Sequence, residues 1–177
     1  MKDFKIDLPV SNQFDKSHDQ DWAHRICAVC SVWMLLKHHK PDFNRPVMDL
    51  VRDCIAKEGY VQNIGWKHSA IVDLAANHGL SLTYASKFFY TPKEKETGLG
   101  IIRRNLQANQ PVIVSMFHHL NPAKSGHMVV VSGMQEFAGN PIGFHITDPD
   151  ASFRGHQYFL TKQEFVDGWR GGLIWSK

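Results

Sequence analysis

Residues 26–36 read Ile26-Cys27-Ala28-Val29-Cys30-Ser31-Val32-Trp33-Met34-Leu35-Leu36, and two of the chain's three cysteines fall inside this stretch. A polar, turn-prone run precedes it. Val29, Val32, Trp33 and Leu36 then recur at three and four, which predicts a helix beginning at or near Cys27. A thiol in the first turn of a helix faces unpaired backbone N–H groups and the positive end of the helix dipole, and both favour the thiolate. The same residues also suit a plainer role, because free cysteine is among the most buried residue types. Only residues far downstream can decide between the two.

Working outward, residues 1–10 suggest a short edge strand ending at Leu8-Pro9-Val10, and residues 11–25 a polar loop. The cysteine helix is expected to run to about His39 and stop near Lys40-Pro41. Pro46 to Gly59 reads as a second helix, with proline in its first turn and glycine at its end. Lys67 to Gly79 reads as a third. After Gly79 the texture changes: Leu80 to Ser86 looks like a strand, Thr91 to Thr97 a charged exposed turn, and Ile101 to Ala108 a helix with a basic Arg103-Arg104 face. From Gln110 onward β signals dominate, at Pro111–Phe117, His127–Met134, Pro141–Thr147, Gln157–Leu160 and Gly171–Trp175. A short helix is expected from Thr161, which opens a capping box with Glu164. Helices first and an antiparallel sheet second is the α+β arrangement.

The 177 residues suffice for one domain with a real core, and no internal boundary, repeat or low-complexity segment is visible. A net charge of +3 with scattered Lys and Arg argues against a nucleic-acid partner. Three cysteines make no disulfide framework and suggest a reducing compartment. The N-terminus has no continuous apolar core, so it does not read as a signal peptide, and no run reaches the ~20 apolar residues of a membrane span. A cytoplasmic location is the expectation.

Three segments could carry chemistry together. They are Cys27, then Gly126-His127 at the mouth of an apolar strand, and Asp148-Pro149 at the end of another. A cysteine nucleophile needs a base within hydrogen-bond reach, and the base needs a third group to fix its tautomer. Antiparallel neighbours starting at His127 and ending at Asp148 would bring those two side chains to one edge of the sheet.

The order of these segments resembles the papain-fold cysteine peptidases of the bacteriocin-processing, double-glycine-leader type, family thirty-nine of the cysteine peptidases. Cys27, Ser31 and Met34 match the nucleophile helix, Pro111-Val112-Ile113-Val114 a following strand, and Gly126-His127 the histidine motif. Asp148-Pro149 and the closing Phe165 and Trp169 match the remainder, so the resemblance covers about residues 8 to 175. It implies a papain-like fold of N-terminal helices on a C-terminal antiparallel sheet. The roles it implies are Cys27 as nucleophile, His127 as base and ion-pair partner, Asp148 as the group orienting His127, and a glutamine amide in the oxyanion hole. Gln13 fits the family's local pattern and Gln20 the usual interval before the cysteine; Gln13 is preferred. Ala28 stands where the family has glycine, and the segment from Gln13 to Cys27 is longer than in leader peptidases. The likeness is to stand-alone relatives rather than to transporter-fused ones.

The implied function is hydrolysis of peptide or isopeptide bonds in a peptide or protein substrate, without cofactor or metal. An inactive binding module on the same fold, and an amidase or acyltransferase with the same triad, are the alternatives. Cys27-x-x-Cys30 follows no strand of a βαβ unit, which disfavours a thioredoxin-type pair. It lacks the second cysteine pair or His-x₃-His spacing of a zinc site. His38-His39 and His118-His119 read as solvated helix-end and loop residues, Cys54 as core, and Asp150 as a substitute for Asp148 that the family pattern passes over.

Overall fold

The computed structural model describes residues 1–177. In chain order its elements are β1 (Lys2–Lys5), α1 (Gln20–Ala23), α2 (Cys27–His39), α3 (Val47–Ala56), β2 (Tyr60–Val61), β3 (Gly65–Trp66), α4 (His68–Asn77) and β4 (Leu82–Tyr84). There follow α5 (Pro92–Gln107), β5 (Val112–Phe117), a 3₁₀ turn (His118–Leu120), β6 (Gly126–Phe137), β7 (Asn140–Thr147), β8 (Gln157–Thr161), α6 (Lys162–Gly168) and β9 (Trp169–Ser176). The main sheet has the order β4-β9-β5-β6-β7-β8, with β1 added to β6, and every pairing is antiparallel. The α+β expectation is therefore met.

The cysteine helix α2 is the centre of the molecule. Ala28, Val29, Cys30, Ser31, Val32, Met34, Leu35 and Leu36 are all buried, so it is apolar nearly all round, as a helix enclosed by other elements must be. It rests on β6, where the Ser31 hydroxyl donates to the Met128 carbonyl at 3.2 Å. Helices α3 and α4 pack against its other side. One apolar cluster runs from Ile6 through α2, β5 and β6 to Ile174, and its Val-rich core strands are what the near-continuous hydrophobic runs of residues 112–116 and 128–131 anticipated.

Two expectations need correction. The segment 91–97 is not an exposed turn: it is the start of α5, which runs unbroken to Gln107. Thr91 and Glu94 form a capping box there, with Pro92 in the first turn. Lys93, Glu94, Lys95 and Glu96 looked like a turn because they form the solvent side of that first stretch, and Gly98 and Gly100 weakened the helical pattern. Gly98 is buried because Phe89 and the Trp169 ring pack directly on its Cα. The second correction is local. The loop 11–25 contains one helical turn, α1, and residues 60–66 form a two-stranded hairpin that the sequence pattern did not announce.

Candidate active site

Cys27 is the first residue of α2. The preceding Ile26 supplies no side-chain cap, so the first N–H groups of the helix have no partner of their own. The sulfur lies at the sheet's edge, where the backbone N–H of Met128 donates to Sγ at 3.5 Å. His127, one residue earlier on β6, is buried with 6% of its surface exposed. Its Nε2 bonds Asp148 Oδ1 at 2.6 Å, and the ring lies close enough to the Cys27 sulfur for each to shift the other's protonation. Asp148 directly follows β7, whose Thr147 pairs with Val130 of β6, so the start of one strand and the end of its neighbour meet at one sheet edge. The three residues that the sequence singled out are brought together.

The electrostatics favour separated charge. Burial lowers the affinity of His127 for a proton, but the hydrogen bond to Asp148 and the neighbouring Cys27 outweigh it and raise the ring from 6.5 to about 10. Burial likewise opposes a Cys27 thiolate, yet the neighbouring His127 ring and its charge, with the Met128 N–H, bring the thiol below its ordinary value. Cys30, three residues on, has no such neighbour: it is fully enclosed and burial pushes its thiol up to about 12. The two cysteines of one motif are thus opposite in character.

Asp148 is held from several sides. Tyr158 Oη donates to Oδ2 at 2.8 Å and the Asp150 N–H to Oδ1 at 2.8 Å, while its carbonyl meets His156 Nδ1 at 2.8 Å. Tyr158 is a partner that sequence reasoning missed; an aromatic in a strand carries no signal of what its hydroxyl reaches. Asp150 does not replace Asp148. It faces His118 instead, at 2.9 Å, and His118 and His119 are partly buried beside the site rather than solvated.

Of the two glutamines, Gln20 sits exposed on α1 and its Nε2 donates to the His18 carbonyl at 3.0 Å. Gln13 is 4% exposed, and its N–H bonds the carbonyl of Pro149, next to Asp148, at 3.0 Å. Its Oε1 is buried without a partner, so the amide is not engaged in holding the fold. The neighbouring Ser11 is buried beside Cys30, which places this segment against the first turns of α2.

A cleft of about 630 Å³ opens over Cys27. The 60–66 hairpin supplies one wall, with Trp66 Nε1 donating to the Arg25 carbonyl at 2.5 Å, and Phe88, Gly126 and Arg170 line it further along. The Arg170 guanidinium packs over the Gly126 Cα and would have to move aside for any side chain there. The hairpin and Arg170 could not be assigned to the site from spacing, because they reach it only through the fold.

A family model described as the Peptidase C39 like family matches residues 5–171. The chain belongs to that family. No curated protein matches the sequence. Among solved structures, the peptidase domain of Streptococcus ComA, a bifunctional ABC transporter involved in quorum sensing, is similar. It shares 19% identity over 98% of each chain, with a TM-score of 0.63. A protein described as a C39-like peptidase from Bacillus anthracis is 15% identical over 100% of this chain and 98% of that one, with a TM-score of 0.69. A double glycine motif protease from an AMS/PCAT transporter, solved with its leader peptide, is 17% identical over 98% and 94%, with a TM-score of 0.57. At these identities the structures establish the papain-like C39 fold, and the family supports a cysteine peptidase role. No helix of this C39-like chain is long and apolar enough to cross a membrane.

Proposed function

We propose that this C39-like protein is a cysteine peptidase that cleaves peptide or isopeptide bonds through an acyl-enzyme. The observation that carries the reading is the buried His127 ring, hydrogen-bonded to Asp148 through Nε2 and set beside the Cys27 sulfur, which also accepts the Met128 N–H. In this reading the Cys27 thiolate attacks the scissile carbonyl. The oxyanion is met by the unpaired Cys27 N–H at the start of α2 and by the Gln13 amide. His127 gives its proton to the leaving amine, and then takes one from the water that hydrolyses the thioester. Asp148, fixed by Tyr158 and Asp150, orients the ring and stabilises the imidazolium. The cleft over Cys27 gives an extended chain access to the sulfur, and the leader peptide bound to the AMS/PCAT relative favours a peptide substrate.

We read residues 1–177 as one domain, on the strength of the continuous core from Ile6 to Ile174. The three free cysteines favour a reducing, cytoplasmic setting. The test is digestion of a defined peptide mixture, with new termini read by mass spectrometry. Cys27→Ala is expected to abolish cleavage with the fold intact, and Cys30→Ala to retain most of it. Cleavage that survives Cys27→Ala, or disappears in a normally folded Cys30→Ala, would overturn the assignment.

A further inference from the structure

Behind the catalytic ring, away from the cleft, three metal-ligating side chains converge. His118 and His119 occupy the 3₁₀ turn between β5 and β6, and Asp150 follows β7. His118 Nε2 lies 2.9 Å and His119 Nε2 3.9 Å from the same carboxylate oxygen, Asp150 Oδ2, and the three donor atoms lie within 4.8 Å of one another. We propose that His118, His119 and Asp150 form a site for a borderline divalent transition cation of the zinc type.

The geometry suits that class. With metal–ligand distances near ~2.0–2.2 Å, tetrahedral ligands stand roughly 3.4 Å apart, and the two measured separations bracket that value. Two imidazoles and one carboxylate match zinc, cobalt or nickel, whereas calcium and magnesium take oxygen shells. Asp150 is held from behind by hydrogen bonds, as metal ligands characteristically are, and the two rings are packed by aromatic neighbours. Asp150 is 3% exposed, its Oδ1 accepts from the Ser152 N–H at 2.8 Å, and its own N–H is bound to Asp148. The His119 ring stacks on Phe153 at 5.2 Å, and the His118 ring lies 5.0 Å from that of His127. His119 itself sits at φ 55°, a conformation that an ordinary residue avoids. The three ligands leave a fourth position, beside Ser152 Oγ, which is 3.0 Å from His119 Nε2.

Three contacts compete with metal, two of them at the ligating atoms themselves: the hydrogen bonds of His118 Nε2 to Asp150 Oδ2 and of His119 Nε2 to Ser152 Oγ give way when an ion binds. In the third, Lys124 Nζ lies 2.9 Å from His119 Nδ1, but a ring that ligates through Nε2 carries its proton on Nδ1. Lys124 is exposed and must swing away, so the competition gives the proposal a signature of its own.

The test is titration of the tag-free, full-length Cys27→Ala protein with Zn²⁺ by calorimetry and with Co²⁺ by absorption. Removing Cys27 excludes metal bound by the thiolate and His127, and no peptidase activity is needed, so the result is independent of the proposed function. The expected result is one bound ion and cobalt ligand-field bands without a thiolate charge-transfer band. His118→Ala and His119→Ala, each added to that background, should weaken binding by roughly tenfold or more, and each variant's metal-free melting curve is recorded to show that it remains folded. Lys124→Met should bind more tightly. Absence of binding, binding indifferent to both histidines, or thiolate ligation would overturn the site, as would weaker binding by Lys124→Met.

Discussion

Replacing His127 with alanine removes the imidazolium beside Cys27 and tests whether the two form an ion pair. Raising the ring from 6.5 to about 10 corresponds to on the order of 5 kcal/mol in favour of the charged imidazole. Cys27 shares in that preference, because burial alone would raise its thiol and the ring is what outweighs it. Without the ring only the Met128 N–H and the helix start oppose burial, and the thiol returns to an ordinary value near ~8.5 or above. Such a thiol is below ~1% ionised at pH 6, so the variant has on the order of a hundredfold less thiolate than an ion-paired Cys27. A thiolate of low pKa is intrinsically the weaker nucleophile, with a Brønsted slope of ~0.4–0.5, and this returns roughly tenfold. The expected net loss of iodoacetamide reactivity at pH 6 is therefore about tenfold. The shape of the profile changes too. Wild-type Cys27 should label with a shallower pH dependence than the variant, whose rate climbs about tenfold per pH unit, as a protonated thiol's does. The assay is timed alkylation of the reduced protein, read by peptide mass spectrometry, with Cys30 as internal reference because its buried thiol stays protonated in both proteins. Superimposable wild-type and variant profiles would refute the ion pair.

Tyr158→Phe deletes one donor to a buried carboxylate that keeps its bonds to His127 and Asp150; about 1.5–3 kcal/mol should be lost in urea denaturation, and an unchanged midpoint would show that the phenol is not holding Asp148. Thr91→Ala breaks the capping box at the start of α5 and should cost ~1 kcal/mol in the same measurement, whereas no loss would mean that the first turn is held by packing alone. Gly98→Ala separates two effects of opposite sign: helix propensity would stabilise by ~1 kcal/mol, but the fully buried Trp169 ring occupies the space, so a net loss of about 1–3 kcal/mol is expected. A stabilised Gly98→Ala would mean that Trp169 yields.

Much of the molecule could be read locally. The α2 helix announced itself through apolar spacing, β5 and β6 through Val-rich runs, and α6 through Thr161 and Glu164, because each rests on interactions within a few residues. Cys27, His127 and Asp148 were found by their positions at element ends, where a helix start or a strand terminus aims a side chain outward. The segment 91–97 misled for the converse reason. Its charged residues are set by solvent exposure, and the glycine that follows it, Gly98, by a tryptophan seventy-one residues away.

By itself, the sequence determined the α+β class, the central helix and the three residues of the candidate triad, since hydrophobic period, capping and strand ends are recorded in near neighbours. Tertiary structure alone gives the two cysteines their different surroundings: a facing imidazole lowers the Cys27 thiol, while burial without such a neighbour raises that of Cys30. It also decided that Gln13 is buried beside Pro149 while Gln20 is exposed, that Tyr158 braces Asp148, and that His118 and His119 turn toward Asp150. Those outcomes depend on distances between residues far apart in the chain, and these exist only once the sheet has closed.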